Sequence, residues 1–149
     1  MKLLIVEDNS PLAEITAELL HALDRPQQHL EAMTLAADLQ TAILCLPEHN
    51  VVLCDGMFPR SPHSRLVVEE WNVIRQEAHR RGIHFVLYSG SDSALDSARK
   101  SDTAALAKPA SIEEIYAALT HRGSPVRSNR DGKSASMAGN RKSAGENHV

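Results

Sequence analysis

Four short apolar runs at regular intervals constrain the fold of this chain more than any other feature. They are Leu3 to Val6, Val51 to Cys54, Phe85 to Tyr88 and the weaker Ala104 to Ala107. Each run is continuously apolar rather than alternating, which is typical of parallel strands that are buried on both faces. The stretches between the runs show helical spacing, as crossovers between parallel strands require. The pattern therefore predicts alternating strands and helices around a parallel sheet.

Apolar residues at helical spacing predict the buried faces of the first three helices. These faces are Leu12, Ile15, Leu19 and Leu23 in the first helix, Leu35, Leu39, Ile43 and Leu46 in the second, and Val67, Trp71, Ile74 and Ala78 in the third. Ser10 is the predicted N-cap of the first helix, with Pro11 at its first position. The second helix is predicted to begin at Thr34, and the third to end at Gly82.

A fifth strand and two further helices complete the pattern. The weakly apolar stretch His29 to Met33 is the predicted edge strand, and Ser91 to Lys100 is a small fourth helix. Ser111 and Glu114 form a capping box that opens the last helix. The result is an α/β fold, (βα)5, in residues 1–121, of the doubly wound type that binds ligands at the carboxyl ends of its central strands.

The remaining residues, 122–149, differ in composition from this domain. Residues 1–121 hold 10 basic and 17 acidic residues, whereas residues 122–149 hold 6 and 2 and are rich in Ser, Gly and Asn. A segment with no apolar periodicity cannot bury enough surface to become ordered, so we expect a disordered tail. Its spaced basic residues leave contact with nucleic acid or anionic lipid open, but no stacking aromatic lies among them, which favours a simple linker.

Composition also excludes several classes of protein. No apolar run approaches the roughly 18 residues of a membrane span, and the first residues do not form a secretory signal. Cys45 and Cys54 lie in apolar runs without CxxC spacing, so a disulfide framework is not expected. We therefore expect a soluble, cytoplasmic protein that does not act at a membrane.

Polar and charged residues follow the apolar runs at the point where each predicted strand ends. They are Glu7 and Asp8, Asp55, Ser89 and Lys108. Because parallel strands end at one edge of a sheet, these side chains should converge. Repulsion among three carboxylates is relieved by a divalent cation such as Mg²⁺, and a lysine beside them suits an incoming phosphoryl group.

At these positions the sequence resembles the receiver domains of two-component response regulators. The matching segments are LLIVEDN, VVLCDGMFP, VLYSG and LAKP, which occur in the family's order between Met1 and about His121. The resemblance implies a flavodoxin-like fold, a five-stranded parallel sheet with strand order 2-1-3-4-5. It also implies a role in signal transduction.

The same resemblance implies a role for each site residue. Asp55 matches the phosphoacceptor, and Mg²⁺ would be held by Glu7, Asp8, Asp55 and the backbone carbonyl of Met57. Ser89 matches the hydroxyl that binds a phosphoryl oxygen, and Lys108 matches the lysine that pairs with the phosphoryl group. The bond between Lys108 and the proline after it is expected to be cis.

The chain also departs from the family pattern. Ala105 stands where receivers usually have a switch aromatic, which puts the usual activation coupling in doubt. The interval from Ser89 to Lys108 is short, which predicts a truncated fourth helix or loop, and the loop after Asp55 should take a different conformation. Tyr88 offers an aromatic in another place, although we interpret it as a core tyrosine.

We therefore expect a single-domain receiver that accepts a phosphoryl group from a sensor histidine kinase or a histidine phosphotransfer protein. It would signal by phosphorylation-dependent docking on an unidentified partner or by phosphorelay, without direct DNA binding, and homodimerisation stays open. It would not be an enzyme beyond limited self-catalysed phosphorylation and dephosphorylation. The alternative is a receiver fold that binds partners without phosphorylation. An aspartyl-phosphate phosphatase ranks last, because Met57 occupies the place of that class's second acid.

Overall fold

The computed structural model describes residues 1–121 of the chain. Its strands are β1 (Lys2–Val6), β2 (Ala32–Ala36), β3 (Val51–Asp55), β4 (Phe58–Pro59), β5 (Val67–Val68), β6 (His84–Ser89) and β7 (Ala104–Ala107). Its helices are α1 (Ser10–Asp24), α2 (Leu39–Cys45), α3 (Trp71–Arg80), α4 (Asp92–Lys100) and α5 (Ile112–Thr120), and a 3₁₀ turn, Leu46–Glu48, follows α2. The predicted tail, residues 122–149, lies outside the described residues. None of the helices within residues 1–121 has the length and apolar character that crossing a bilayer requires.

Five strands form one parallel sheet in the order β2-β1-β3-β6-β7. The short strands β4 and β5 pair antiparallel with each other outside this sheet, and we call them the β4–β5 ribbon. Counting only the strands of the main sheet, the order is the predicted 2-1-3-4-5. The predicted α/β fold with a doubly wound, flavodoxin-like sheet is therefore confirmed.

The sheet separates two hydrophobic cores because successive side chains of a strand point to opposite faces. Leu4 and Val6 of β1 pack on the side of α2, α3 and α4, whereas Leu3 and Ile5 pack on the side of α1 and α5. All four are at most 2% exposed. Burial of such a side chain contributes about 1.5–3 kcal/mol, so continuous apolar runs are what a sheet covered on both faces needs.

The predicted buried face of α1 is wrong at Ile15 and Leu19, whereas Leu12 is half-buried and Leu23 packs against the core. Ile15 and Leu19 are 54% and 49% exposed, whereas the buried residues of the helix are Ala13, Thr16, Leu20 and Asp24. A buried aspartate on the inner face is tolerated because Tyr116 of α5 donates a hydrogen bond to it at 2.6 Å. The N-cap is also one residue earlier than predicted, since the side chain of Asn9 accepts from the backbone N–H of Leu12.

The edge strand β2 begins three residues later than predicted. The backbone N–H groups of His29 and Leu30 donate to the carboxylate of Asp24, which holds these residues in a loop rather than in the sheet. Leu35, predicted to lie in the second helix, pairs with Ile5 of β1 as part of the strand. The second helix therefore starts at Leu39, where Asp38 caps it by accepting from the Thr41 N–H.

Other predicted boundaries are close to the observed ones. Trp71, Ile74 and Ala78 are buried on the inner face of α3, although Val67 belongs to the β4–β5 ribbon instead. Gly82 follows α3 with a φ of +69°, a conformation that favours glycine. Ser91 and Ser111 cap α4 and α5, because each side chain accepts a backbone N–H three residues on.

Tyr116→Phe should lower the free energy of unfolding by about 2 kcal/mol at neutral pH, since Asp24 loses its only side-chain O–H donor in the described chain. Burial alone would raise the pKa of Asp24, but hydrogen bonds from Tyr116, Leu30 and His29 outweigh it and lower the pKa. A lowered pKa contributes stability that is present above the unfolded value, about 3.9, and is lost as the pH falls through the folded value. Urea unfolding should therefore show that the free energies of unfolding of the wild type and the variant differ by a constant amount above about pH 5. Below about pH 4 this difference should be smaller. A difference that does not change with pH would contradict this account of Asp24.

Candidate functional site

The five residues predicted to share a rim all lie at the carboxyl edge of the main sheet. Glu7 and Asp8 directly follow β1, Asp55 and Ser89 are the last residues of β3 and β6, and Lys108 directly follows β7. Strands β1, β3, β6 and β7 are neighbours in that order, so their ends bring these residues side by side. We call this group the carboxyl-edge site.

Three carboxylates cluster at this site. Glu7, Asp8 and Asp55 each place one oxygen so that all three lie within 4.8 Å of one another, a spacing that suits a shared metal ion. The side chains of Glu7 and Asp55 are only 10% and 15% exposed, whereas Asp8 is exposed to solvent. Burial, followed by the hydrogen bond and the charge of Asp55, raises the pKa of Glu7 to about 7 despite the attraction of Lys108. Burial and Asp55 thus disfavour the charged form of Glu7, and a bound cation would offset this cost.

Lys108 reaches into the cluster and partly neutralises it. Its Nζ lies 3.1 Å from Oδ1 of Asp55 and 3.4 Å from Oε2 of Glu7. Burial opposes the charge of the ammonium, but Asp55 and then Glu7 outweigh burial, so the pKa of Lys108 is raised above its ordinary value. Lys108 is thus a cation throughout the neutral range, aimed at the carboxylate predicted to accept the phosphoryl group.

The backbone holds Lys108 and Ser89 together. The N–H of Lys108 donates to the carbonyl oxygen of Ser89 at 2.9 Å, and the peptide bond between Lys108 and Pro109 is cis, as predicted. Ser89 is 2% exposed, and its Oγ accepts the N–H of Ser91 at 3.0 Å. Within residues 1–121, the Ser89 hydroxyl thus accepts this N–H and donates to no other group.

Gly56, which follows Asp55, leaves the space that the Ser89 hydroxyl fills. A Cβ at position 56 would lie 2.5 Å from Oγ of Ser89, closer than real Cβ atoms approach, and 3.1 Å from its Cβ, a tight contact. The N–H of Gly56 also donates to Oδ1 of Asp55 at 2.7 Å. Sequence reasoning missed this residue, although a glycine directly after a strand-end aspartate is a signal for close approach. The next residue, Met57, has a 43% exposed side chain, and the metal-binding role of its carbonyl stays a prediction.

The β4–β5 ribbon fills the segment after Asp55, where we predicted only an altered loop. Phe58 is fully buried and pairs with Val68, and Arg60 forms an ion pair with Glu70 at 2.6 Å. The Gln40 N–H donates to the Arg60 carbonyl, which ties the ribbon to the start of α2. In chain order, the ribbon thus occupies the connection between β3 and α3.

The aromatic ring of Tyr88 contacts the charged group of Lys108. The Nζ of Lys108 lies 5.3 Å from the centre of the Tyr88 ring, within the range of a cation–π contact. Ala105, which occupies the place of the usual switch aromatic, packs against the core on the side of α2, α3 and α4. Tyr88 packs on the opposite side of the sheet, against the core under α1 and α5.

Solved structures with a similar fold include receiver domains. A CheY-like receiver domain protein from Methanospirillum hungatei is 18% identical, with 76% of this chain and 86% of that chain covered and a TM-score of 0.58. The response regulatory domain of MrkE from Klebsiella pneumoniae is 16% identical, with 80% and 92% covered and a TM-score of 0.61. This chain has the fold of a response regulator receiver domain.

Longer regulators contain the same fold as one part. RcsB from Salmonella enterica serovar Typhimurium, solved bound to promoter rprA with the phosphomimetic BeF3⁻, is 13% identical with a TM-score of 0.60. The match covers 77% of this chain but only 56% of that RcsB chain. No protein-family model and no curated protein sequence matches this receiver-fold chain. The likeness to these solved structures is therefore one of fold.

Proposed function

We propose that this chain is a phosphoacceptor of two-component signal transduction, modified on Asp55 by a sensor histidine kinase or a histidine phosphotransfer protein. The observation that carries the proposal is the contact of 3.1 Å between Lys108 Nζ and Asp55 Oδ1, at a strand end that also holds Glu7, Asp8 and Ser89. A carboxylate beside a fixed ammonium and a buried hydroxyl suits phosphoryl transfer, in which charge spreads over the phosphoryl oxygens.

The transfer forms one bond and breaks one bond. A carboxylate oxygen of Asp55 attacks the phosphorus of a phosphohistidine, and the P–N bond breaks with its electron pair on the imidazole nitrogen, which takes a proton from solvent. The product is an acyl phosphate. Lys108 pairs with the charge that develops on the phosphoryl oxygens, and the Ser89 hydroxyl donates to one of them. The N–H of Gly56 keeps the Asp55 carboxylate oriented.

The donor set at the site fits Mg²⁺, a hard cation that prefers oxygen ligands. Glu7, Asp8 and Asp55 have oxygens within 4.8 Å of one another, and the backbone carbonyl of Met57 would complete the protein's share of the ligands. The ion would neutralise negative charge on the transferring group when it is bound. Its removal by a chelator should therefore remove the transfer.

Incubation of the protein with Mg²⁺ and acetyl phosphate should add the mass of one phosphoryl group, measured by intact-protein mass spectrometry. With a chelator in excess over Mg²⁺, the mass should stay unchanged, because three crowded carboxylates repel a phosphoryl donor. An equal gain with and without the chelator would contradict the Mg²⁺ dependence. No gain with Mg²⁺, from acetyl phosphate or from a kinase, would contradict the proposed function.

The phosphorylated form would then dock on a downstream partner or pass its phosphoryl group on in a phosphorelay, as a cytoplasmic regulator rather than an enzyme of sustained turnover. A second candidate function is partner binding without phosphorylation. One observation favours it: the side chain at position 105 is an alanine, so this position has no aromatic ring that could change orientation when Asp55 is phosphorylated. Unchanged signalling in cells that carry Asp55→Ala would favour this second function. Loss of signalling in those cells would favour phosphotransfer.

A further inference from the structure

We propose that Tyr88 is a positioning residue that holds the ammonium of Lys108 over its ring; this role rests on the proposed phosphoacceptor function. A lysine side chain has four flexible carbons, so the position of its charge has to be fixed by what surrounds it. Two carboxylates, those of Asp55 and Glu7, approach the Lys108 ammonium. Tyr88 supplies a third, uncharged contact.

The sheet fixes where the Tyr88 ring lies. In the parallel register, Tyr88 of β6 pairs with Asp55 of β3 and with Leu106 of β7, and paired residues of neighbouring strands share a face. Tyr88 also lines one small pocket with Glu7 and Asp55, walled by residues of β1, β3 and α1. The ring is therefore built into the carboxyl-edge site rather than merely near it.

The contact between Lys108 and the ring is an electrostatic one. The Nζ lies 5.3 Å from the ring centre, and the negative face of an aromatic ring attracts a cation at this distance. The Lys108 side chain is 23% exposed, so water screens the attraction only in part. An aliphatic side chain of similar size at position 88 would fill the space but would not attract the ammonium.

The hydroxyl of Tyr88 fixes the ring from its other end. It accepts the backbone N–H of Ala110 at 3.2 Å, and Ala110 directly precedes Ser111, the N-cap of α5. The ring thus joins the ammonium of the site to the start of α5. Tyr88 also packs against the core under α1 and α5, as predicted, so the positioning role adds to its core position.

The test compares Tyr88→Leu, which removes the ring, with Tyr88→Phe, which keeps it. In the wild-type protein, NMR should show a nuclear Overhauser effect between the ε-methylene protons of Lys108 and the Tyr88 ring, and an upfield ring-current shift of those protons. Tyr88→Phe should keep the shift, and Tyr88→Leu should abolish it. Phosphoryl uptake from acetyl phosphate should fall by about five-fold in Tyr88→Leu and stay within about two-fold of wild type in Tyr88→Phe.

The two readouts separate this inference from the proposed function. Absence of phosphoryl uptake in the wild type would contradict the proposed function, while the Lys108 resonances would still decide the contact. Absence of the Overhauser effect in the wild type would overturn the positioning role, and this measurement needs no variant to fold. Equal uptake in Tyr88→Leu and wild type, or an equal loss in Tyr88→Leu and Tyr88→Phe, would overturn it as well.

Discussion

Asp55→Asn should abolish phosphoryl uptake from acetyl phosphate. An amide is not a nucleophile for phosphorus, and the substitution removes the charge that Lys108 Nζ approaches at 3.1 Å. It changes neither the size of the side chain nor its place at the end of β3, so the fold should persist. Intact-protein mass spectrometry in the presence of Mg²⁺ should show no mass gain in this variant.

The matched control is Asp96→Asn, on the outer face of α4. Asp96 is 62% exposed and, within residues 1–121, pairs only with Arg99, so an exposed acid is neutralised at a distance from the site. This variant should take up phosphoryl groups as the wild type does. A mass gain in Asp55→Asn equal to that of the wild type would show that another residue is the acceptor.

Gly56→Ala should both destabilise the protein and slow phosphoryl uptake. The new Cβ would lie 2.5 Å from the Oγ of Ser89 and 3.1 Å from its Cβ, and Ser89 is 2% exposed, so the buried serine has to shift. Overpacking of this kind costs about 1–3 kcal/mol, more than an alanine gains by restricting the unfolded chain. Because Ser89 is displaced from the site, uptake should fall by about 10- to 100-fold. Urea unfolding and the time course of uptake measure the two effects.

Gly90→Ala is the control for this steric argument. A Cβ at position 90 would lie 4.0 Å from Cβ of Lys108, an ordinary contact, so the same change in composition should leave stability and uptake nearly unchanged. Adding Ser89→Gly to Gly56→Ala removes the clashing atoms, so the double variant should lose less stability than the two single losses together. Gly56→Ala as stable as the wild type would contradict the close approach.

The sheet and its order could be predicted because continuous apolar runs leave few alternatives to buried parallel strands. The buried face of α1 could not be predicted in full, because the exposed residues Ile15 and Leu19 have the same helical spacing as core residues. The observed inner face instead includes Asp24, whose hydrogen bond from Tyr116 joins residues 92 positions apart in the chain. The same aspartate holds His29 and Leu30 out of the sheet, so one buried carboxylate accounts for errors in both α1 and β2.

The site residues could be predicted because the carboxyl ends of parallel strands meet at one edge of the sheet, and this does not depend on the conformation of the loops. The contacts that refine the site depend on distances that spacing does not encode. Gly56 matters because of a side chain on β6, and Tyr88 because the Lys108 side chain folds back over its ring. The β4–β5 ribbon was missed because two-residue strands carry almost no periodic signal.

The most direct test of the central claim locates the modification in the wild-type protein. Borohydride reduces the acyl phosphate of an aspartate to homoserine, which peptide mass spectrometry can assign to one position. After treatment with Mg²⁺ and acetyl phosphate, we predict that the label lies at Asp55 and that Glu7 and Asp8 stay unmodified. A label at another carboxylate, or no label in protein that binds Mg²⁺, would contradict the account.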